Sequence, residues 1–143
     1  MMNGKIRHYQ REALKTRLAS ADPFEVTQML MEGALESMKI AKINIENKDL
    51  ENKSKFIAKA TTIIDTLRLS LDYEAGGEIS INLSDLYRYM SERLLEASIG
   101  NDIAKIDEVI DLLSGIKGAW DQISESDRNA AYTQMQNKTA IGE

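Results

Sequence analysis

Apolar residues recur every three or four positions in four stretches, each bounded by polar or glycine-containing breaks, the period of a helix with one buried face. The first stretch opens on Asp22-Pro23-Phe24-Glu25. An Asp cap, a Pro in the first turn and a Glu three residues after the cap form a strong helix start. Leu30, Ala34, Met38, Ala41 and Ile45 then share one face, to about Asn47. The second begins near Asp49 and carries Phe56, Ala60, Ile63, Leu67 and Leu71, with Ile57 and Ile64 beside them. The pattern predicts that it ends before Gly76-Gly77. The third starts at Asn82, with Asp85 three residues on. It presents Leu83, Leu86, Tyr87, Met90, Leu94 and Ala97 before Gly100. Asn101 or Asp102 caps the fourth, whose face is Ile106, Val109, Leu113, Ile116 and Trp120, flanked by Ile110 and Ile123.

Short connections make successive helices antiparallel. The expected fold is all-α, an antiparallel up-down-up-down four-helix bundle over residues 22–123. Helices of roughly 17 to 25 residues, at about 1.5 Å per residue, make an elongated bundle about 25–37 Å long. Residues 1–21 form a short helical N-terminal arm, basic through Lys5, Arg7, Arg11, Lys15 and Arg17 against Glu12. In it Ile6, Tyr9, Ala13 and Leu14 make one short amphipathic face. Residues 124–143 are polar, with a short helix expected from Asp127 to Gln136 and a mobile tail after it.

A chain of 143 residues suits one domain with one core. The formal net charge of −5 argues against a general nucleic-acid binder. With no cysteine, disulfides, thiolate metal sites and cysteine nucleophiles are excluded. No apolar run approaches the ~20 residues that span a bilayer, so no membrane insertion is expected. The opening MMNGKIRHYQREALKTRL is too charged for a signal-peptide apolar region, which predicts a cytoplasmic location.

The chemistry of catalysis is missing. A phosphate loop needs a strand before it and a third glycine or a Lys-Ser/Thr pair after it. Gly76-Gly77 follows a helix and precedes Glu78, so the pair reads as a turn. Di-metal bundles use inward Glu-x-x-His pairs, whereas the single histidine, His8, sits in the arm. The serines have no base to partner them. Carboxylates such as Glu36, Asp85, Glu92 and Asp107 fall opposite the apolar stripes, as a solvated face requires. No catalytic residue, metal or cofactor is expected.

Two features remain. The basic arm either docks on the acidic body of its own molecule, the favoured reading, or contacts an acidic surface or nucleic acid, for which five basic residues and one aromatic make a thin footprint. Several apolar residues also lie off the main helix faces: Met29, Ile40 and Ile43 on the first helix, and Leu69 and Tyr73 at the end of the second. Tyr89 and Leu95 on the third and Leu112 and Ala119 on the fourth complete the set. Such a set either forms a groove for an amphipathic partner helix or is covered by the arm, the C-terminal segment or a second copy.

The stretch ADPFEVTQMLMEGALESMKIAK resembles the opening helix of FliS-type flagellin-export chaperones. IIDTLRLSLDYEAGGEISINLSDLYRYMSERLLEAS is similar to that family's helix end, Gly-Gly-Glu-Ile turn and Asn-Leu-x-x-Leu-Tyr helix. Ala119-Trp120 and Tyr9 also fit, and the likeness runs in order from residue 6 to about 123. Met31 stands for the usual aromatic, Val26 and Thr27 for a Leu-Ile pair, and Arg88 for an acid; these departures are expected on helix surfaces. The resemblance implies a non-enzymatic cytoplasmic chaperone. Such a protein binds the C-terminal helical region of flagellin, prevents premature polymerisation and supports delivery to the flagellar type III export gate. Contact with the export apparatus would run through the flagellin complex. The expected flagellin groove comprises Met29, Ile40, Ile43, Leu69, Tyr73, Tyr89 and Leu112. The arm's Ile6, Tyr9 and Leu14 would cover part of it. The alternative is a self-associating helical-bundle adaptor with no flagellin role, and a homodimer is the state expected when flagellin is absent.

Overall fold

The computed structural model describes residues 2–20, 22–123 and 127, and the described residues contain no strand. Among the described residues six helices follow one another: α1 (Met2–Ser20), α2 (Pro23–Glu46), α3 (Leu50–Leu69), α4 (Tyr73–Gly76), α5 (Glu78–Gly100) and α6 (Ile103–Asp121). The four long helices after α1 form a closed ring, in which α2 and α5 each pack against both α3 and α6. Cross-links near the ends show neighbours running antiparallel. Lys53 of α3 meets Ser98 of α5, while Arg68 meets Ser84. Gln28 of α2 meets Asp121 of α6, while Lys42 meets Asp107. This is the expected up-down-up-down bundle.

The helix boundaries follow local chemistry. Asp22 accepts a hydrogen bond from the Glu25 backbone N–H at 2.8 Å, with Pro23 in the first turn. Asp49 and Asp102 do the same for α3 and α6. Asn101 ends α5 in the left-handed conformation, φ 49°. The Asn101-Asp102 pair therefore divides the work, one residue closing a helix and the next opening another.

Inside the ring, Met38, Ile64, Met90, Leu94, Ile106 and Leu113 are fully buried. Each such side chain contributes roughly 1.5–3 kcal/mol of transfer free energy before entropy is subtracted. Ala34, Ala41, Ala60 and Ala97 are equally buried and let the large residues of facing helices interlock. Trp120 closes the seam between α6 and α2. Its ring stacks on Phe24 with centroids 4.6 Å apart, and its indole N–H donates to the Phe24 carbonyl at 3.3 Å.

The structure corrects several expectations. The arm is not a short helical piece: α1 runs 19 residues, supported by the Glu12–Lys15 pair and by Thr16 Oγ1 donating to the Glu12 carbonyl. The second bundle helix ends before the glycines, as expected, but already at Leu69, so Leu71 lies beyond it. Ser70 Oγ donates back to the Thr66 and Leu67 carbonyls, and Asp72 caps a new short helix by accepting from the Ala75 N–H. The third bundle helix starts at Glu78, so Asn82 lies inside it rather than at its cap. The reason is a buried stripe that continues below Leu83 through serines, since Ser80, Ser84 and Tyr87 are all buried. Ser80 Oγ donates to the Asp72 carbonyl at 2.7 Å and Ser84 Oγ accepts from Arg68 Nε at 3.1 Å, which satisfies both hydroxyls. Met31 is not on a helix surface but fully buried in the core. The helix expected over Asp127–Gln136 lies outside the described residues.

Candidate functional site

The first opening in the bundle wall is the groove between α2 and α3. A mid-helix glycine is costly, by roughly 1 kcal/mol against alanine, and Gly33 sits in the middle of α2 facing α3. A Cβ there would stand 3.4 Å from Ile63 Cδ1. The missing side chain leaves a groove of about 400 Å³, walled by Met29, Leu30 and Ile40 of α2 and by Phe56 and Ile63 of α3. Glu32, Glu36 and Lys59 stand at its rim. Met29, Gly33, Glu36, Ile40 and Ile43 follow one another at intervals of three or four, so they occupy a single face of α2. An apolar floor with a charged rim is the form taken by grooves that receive amphipathic helices.

The residues expected to form one flagellin surface are divided by the structure. Met29 and Ile40 line the α2–α3 groove, and Ile43 continues their face, 54% exposed. Met29 is itself buried, at 9% exposure, so it is a wall of the groove and not a free surface residue. Leu69 and Tyr73 lie at the end of the bundle, 88% and 51% exposed.

Tyr89 belongs to the α5–α6 seam, on the opposite side of the ring from the α2–α3 groove. Its hydroxyl donates to Glu108 Oε2 at 2.8 Å. Leu112, one turn beyond Glu108, packs on the core and is partly buried. In the arm, Ile6 and Tyr9 are 49% and 78% exposed. The Leu14 side chain lies outside the described residues.

The α5–α6 seam is an ion-pair network. Arg93 reaches Glu108 at 2.6 Å and Glu96 at 2.8 Å, and Lys105 reaches Glu96 at 3.3 Å. The hydrogen bond from Arg93, then that from Tyr89, holds the Glu108 carboxyl below its ordinary range. Lys105, then Arg93, does the same for Glu96. Arg93 is pushed up in return, first by Glu108 and then by Glu96. These groups are about one-third to one-half exposed, so solvent screens the network, which orders the seam and adds little net stability. It also holds Tyr89 against α6.

Sequence periodicity placed Leu30, Phe56 and Ile63 on the core faces, yet they also wall the groove. Gly33 on the groove face is a weak signal for this seam, since α6 also carries mid-helix glycines, Gly115 and Gly118, with nothing near them. Among the described residues no cluster of three or more histidines or carboxylates could hold a metal ion. No helix among them is long and apolar enough to cross a membrane.

Comparison with known proteins agrees with this architecture. Residues 5–127 match the family described as "Flagellar protein FliS". The chain is 42% identical over 120 residues to the flagellar secretion chaperone FliS of Salmonella typhimurium, covering 83% of this chain and 89% of that protein. It is 40% identical over 119 residues to the flagellar secretion chaperone FliSB of Pseudomonas aeruginosa, covering 83% and 94%. It is 35% identical over 120 residues to the flagellar secretion chaperone FliS of Bacillus subtilis, covering 84% and 86%. From the capped start of α2, through the Gly-Gly turn, to Trp120 at the end of α6, this chain belongs to the FliS family of flagellar proteins.

Proposed function

We propose that this protein is a cytoplasmic flagellar secretion chaperone that holds the C-terminal helical region of flagellin, keeps it from polymerising early and brings it to the type III export gate. The observation that carries the reading is the open apolar groove between α2 and α3, about 400 Å³ with a charged rim, on a chain of this family. The role needs no catalytic residue and no cofactor. The apparatus is met through the flagellin complex.

The energetics suit a carrier. A segment that folds on binding costs roughly 2–5 kcal/mol or more to order. Apolar burial returns about 25 cal/mol per Å² before association losses. A segment wrapping from the groove past Leu69 and Tyr73 contacts several patches, each modest, and can be peeled away in steps at the gate. In this reading helix α1 is a cover that swings onto the same apolar wall through Ile6 and Tyr9, which stand exposed and off the wall in this structure.

The test is size-exclusion chromatography of the chain with a flagellin C-terminal fragment. A soluble one-to-one complex is expected. Ile40→Glu and Leu69→Glu should each reduce the bound fraction at an unchanged melting temperature, and deletion of residues 1–18 should raise affinity or association rate. A chain that elutes as a stable dimer and ignores flagellin supports the self-associating adaptor instead. Loss of affinity on removing the arm makes α1 a clamp and not a cover.

A further inference from the structure

Helix α1 is long and amphipathic, and it has no seat in the bundle. It runs 19 residues but takes no part in any seam of the ring. None of its described side chains is buried or half-buried. Ile6 and Tyr9 stand 49% and 78% exposed. Ile6, Tyr9 and Ala13 follow one another at intervals of three and four, so they form one apolar line along the helix. A helix of this length draws most of its stability from packing such a face and less from propensity. The line therefore calls for a surface that the ring does not supply in this structure.

The charge around the line says which surface. Residues 1–21 hold five basic side chains and one acid, a formal +4, so residues 22–143 carry −9 for the whole chain to reach −5. Lys5 lies one turn before Tyr9 and Arg17 one turn after Ala13, so basic positions border both ends of the apolar line. Arg7, Arg11 and Lys15 recur every fourth residue on another face. A nucleic-acid backbone would use the charges and leave the apolar line in water. An apolar protein groove would use the line and leave most of the charges idle. A bilayer interface with anionic headgroups uses both at once. Apolar residues enter the headgroup boundary, and long basic side chains reach around them to the lipid phosphates. The acidic body is repelled by the same surface, which confines contact to α1.

We propose that α1 is a reversible membrane-surface anchor, lying in the plane of an anionic bilayer on Ile6, Tyr9 and Ala13 with its basic residues on the lipid phosphates. No helix among the described residues is long and apolar enough to cross a membrane. One short apolar line beside a basic face gives weak, salt-sensitive adsorption and not insertion. The inference goes beyond the flagellin reading, and its test contains no flagellin.

The test is flotation of the full chain with vesicles of phosphatidylcholine alone and of phosphatidylcholine mixed with phosphatidylglycerol, at low and at physiological salt. The chain should float with the anionic vesicles, stay behind with the neutral ones and detach as salt rises. Each basic residue near such a surface is worth about fivefold in affinity, so Lys5→Gln, Arg11→Gln and Arg17→Gln together should weaken binding by at least about tenfold. Ile6→Ser with Tyr9→Ser keeps every charge and should weaken it by at least about fivefold. Both variants lie outside the ring and should melt as the parent does. Equal flotation with the two kinds of vesicle overturns anionic recognition. Parent-like flotation of the charge variant takes the contact away from α1, and parent-like flotation of the apolar variant reduces it to surface charge alone; either result overturns the anchor. Tighter retention of a DNA duplex than of the vesicles gives the arm to nucleic acid. An elution volume that the apolar variant shifts in lipid-free buffer gives it to a second copy, and both of these outcomes overturn the anchor as well.

Discussion

Gly33 offers a direct separation of stability from function. In the interior of α2, replacing glycine by alanine should favour the helix by about 1 kcal/mol. The structure allows it, since the new methyl would meet Ile63 Cδ1 at 3.4 Å, an ordinary van der Waals contact. For a domain of this size that gain raises Tm by about 3–5 °C. Gly33→Leu carries the same helix benefit but fills the groove floor. If a docked segment thereby loses about 60–100 Å² of apolar contact, binding weakens by about 1.5–2.5 kcal/mol at ~25 cal/mol per Å², a roughly 10- to 60-fold rise in Kd. Thermal melts by circular dichroism and titration calorimetry with a flagellin C-terminal fragment give the two quantities independently. A less stable Gly33→Ala would show that the α2–α3 approach is tighter than described. A Gly33→Leu variant that binds flagellin as well as the parent would refute the groove as the docking site.

Two further outcomes follow from other seams. Lys53 is 6% exposed and donates to the Ser98 carbonyl at 2.8 Å, one of the C-terminal carbonyls of α5 that lack intrahelical partners. Lys53→Met should therefore cost about 1–3 kcal/mol and lower Tm by about 3–15 °C, and an unchanged melt would deny the lysine that role. Glu108 is held below its ordinary value of 4.5 by Arg93 and Tyr89, so its contribution is present above that value and fades as pH falls through the lower folded-state pKa. Glu108→Gln should thus destabilise at pH 7 and converge with the parent in acid, as urea midpoints across that range would record. A difference that grows as pH falls would contradict the network.

Much of the fold was legible because its signals are local. Asp22-Pro23-Glu25 announced α2, and the stripes through Met38, Met90 and Leu113 located the core faces. The errors arose where polar residues do apolar work. Ser80 and Ser84 extend the buried stripe of α5 by more than a turn, but a hydrophobic pattern passes over serines. Asp72 reads as part of a helix until its cap bond to Ala75 is seen. Lys53 would be assigned to solvent in any pattern. The site was less legible for a geometric reason. Periodicity tells which face of a helix is apolar, not which neighbour that face meets. Ile40 and Tyr89 both read as off-core residues, yet they lie on opposite seams of the ring.

The order of helices around the ring has a kinetic consequence. Three of the four seams join helices that are neighbours along the chain, apart from the single turn of α4 between α3 and α5. These seams can zip up as hairpins with little loop-closure cost, the topology of a fast folder. The α2–α6 seam is different. Gln28 and Asp121 pair across 93 positions of sequence, so this contact carries most of the chain's closure entropy. Trp120 sits on that seam against Phe24. In a refolding experiment its fluorescence therefore times the closing of the ring, while far-UV ellipticity times the hairpins that precede it. The single tryptophan thus marks the step at which the start of α2 and the end of α6 are joined and the ring becomes one body.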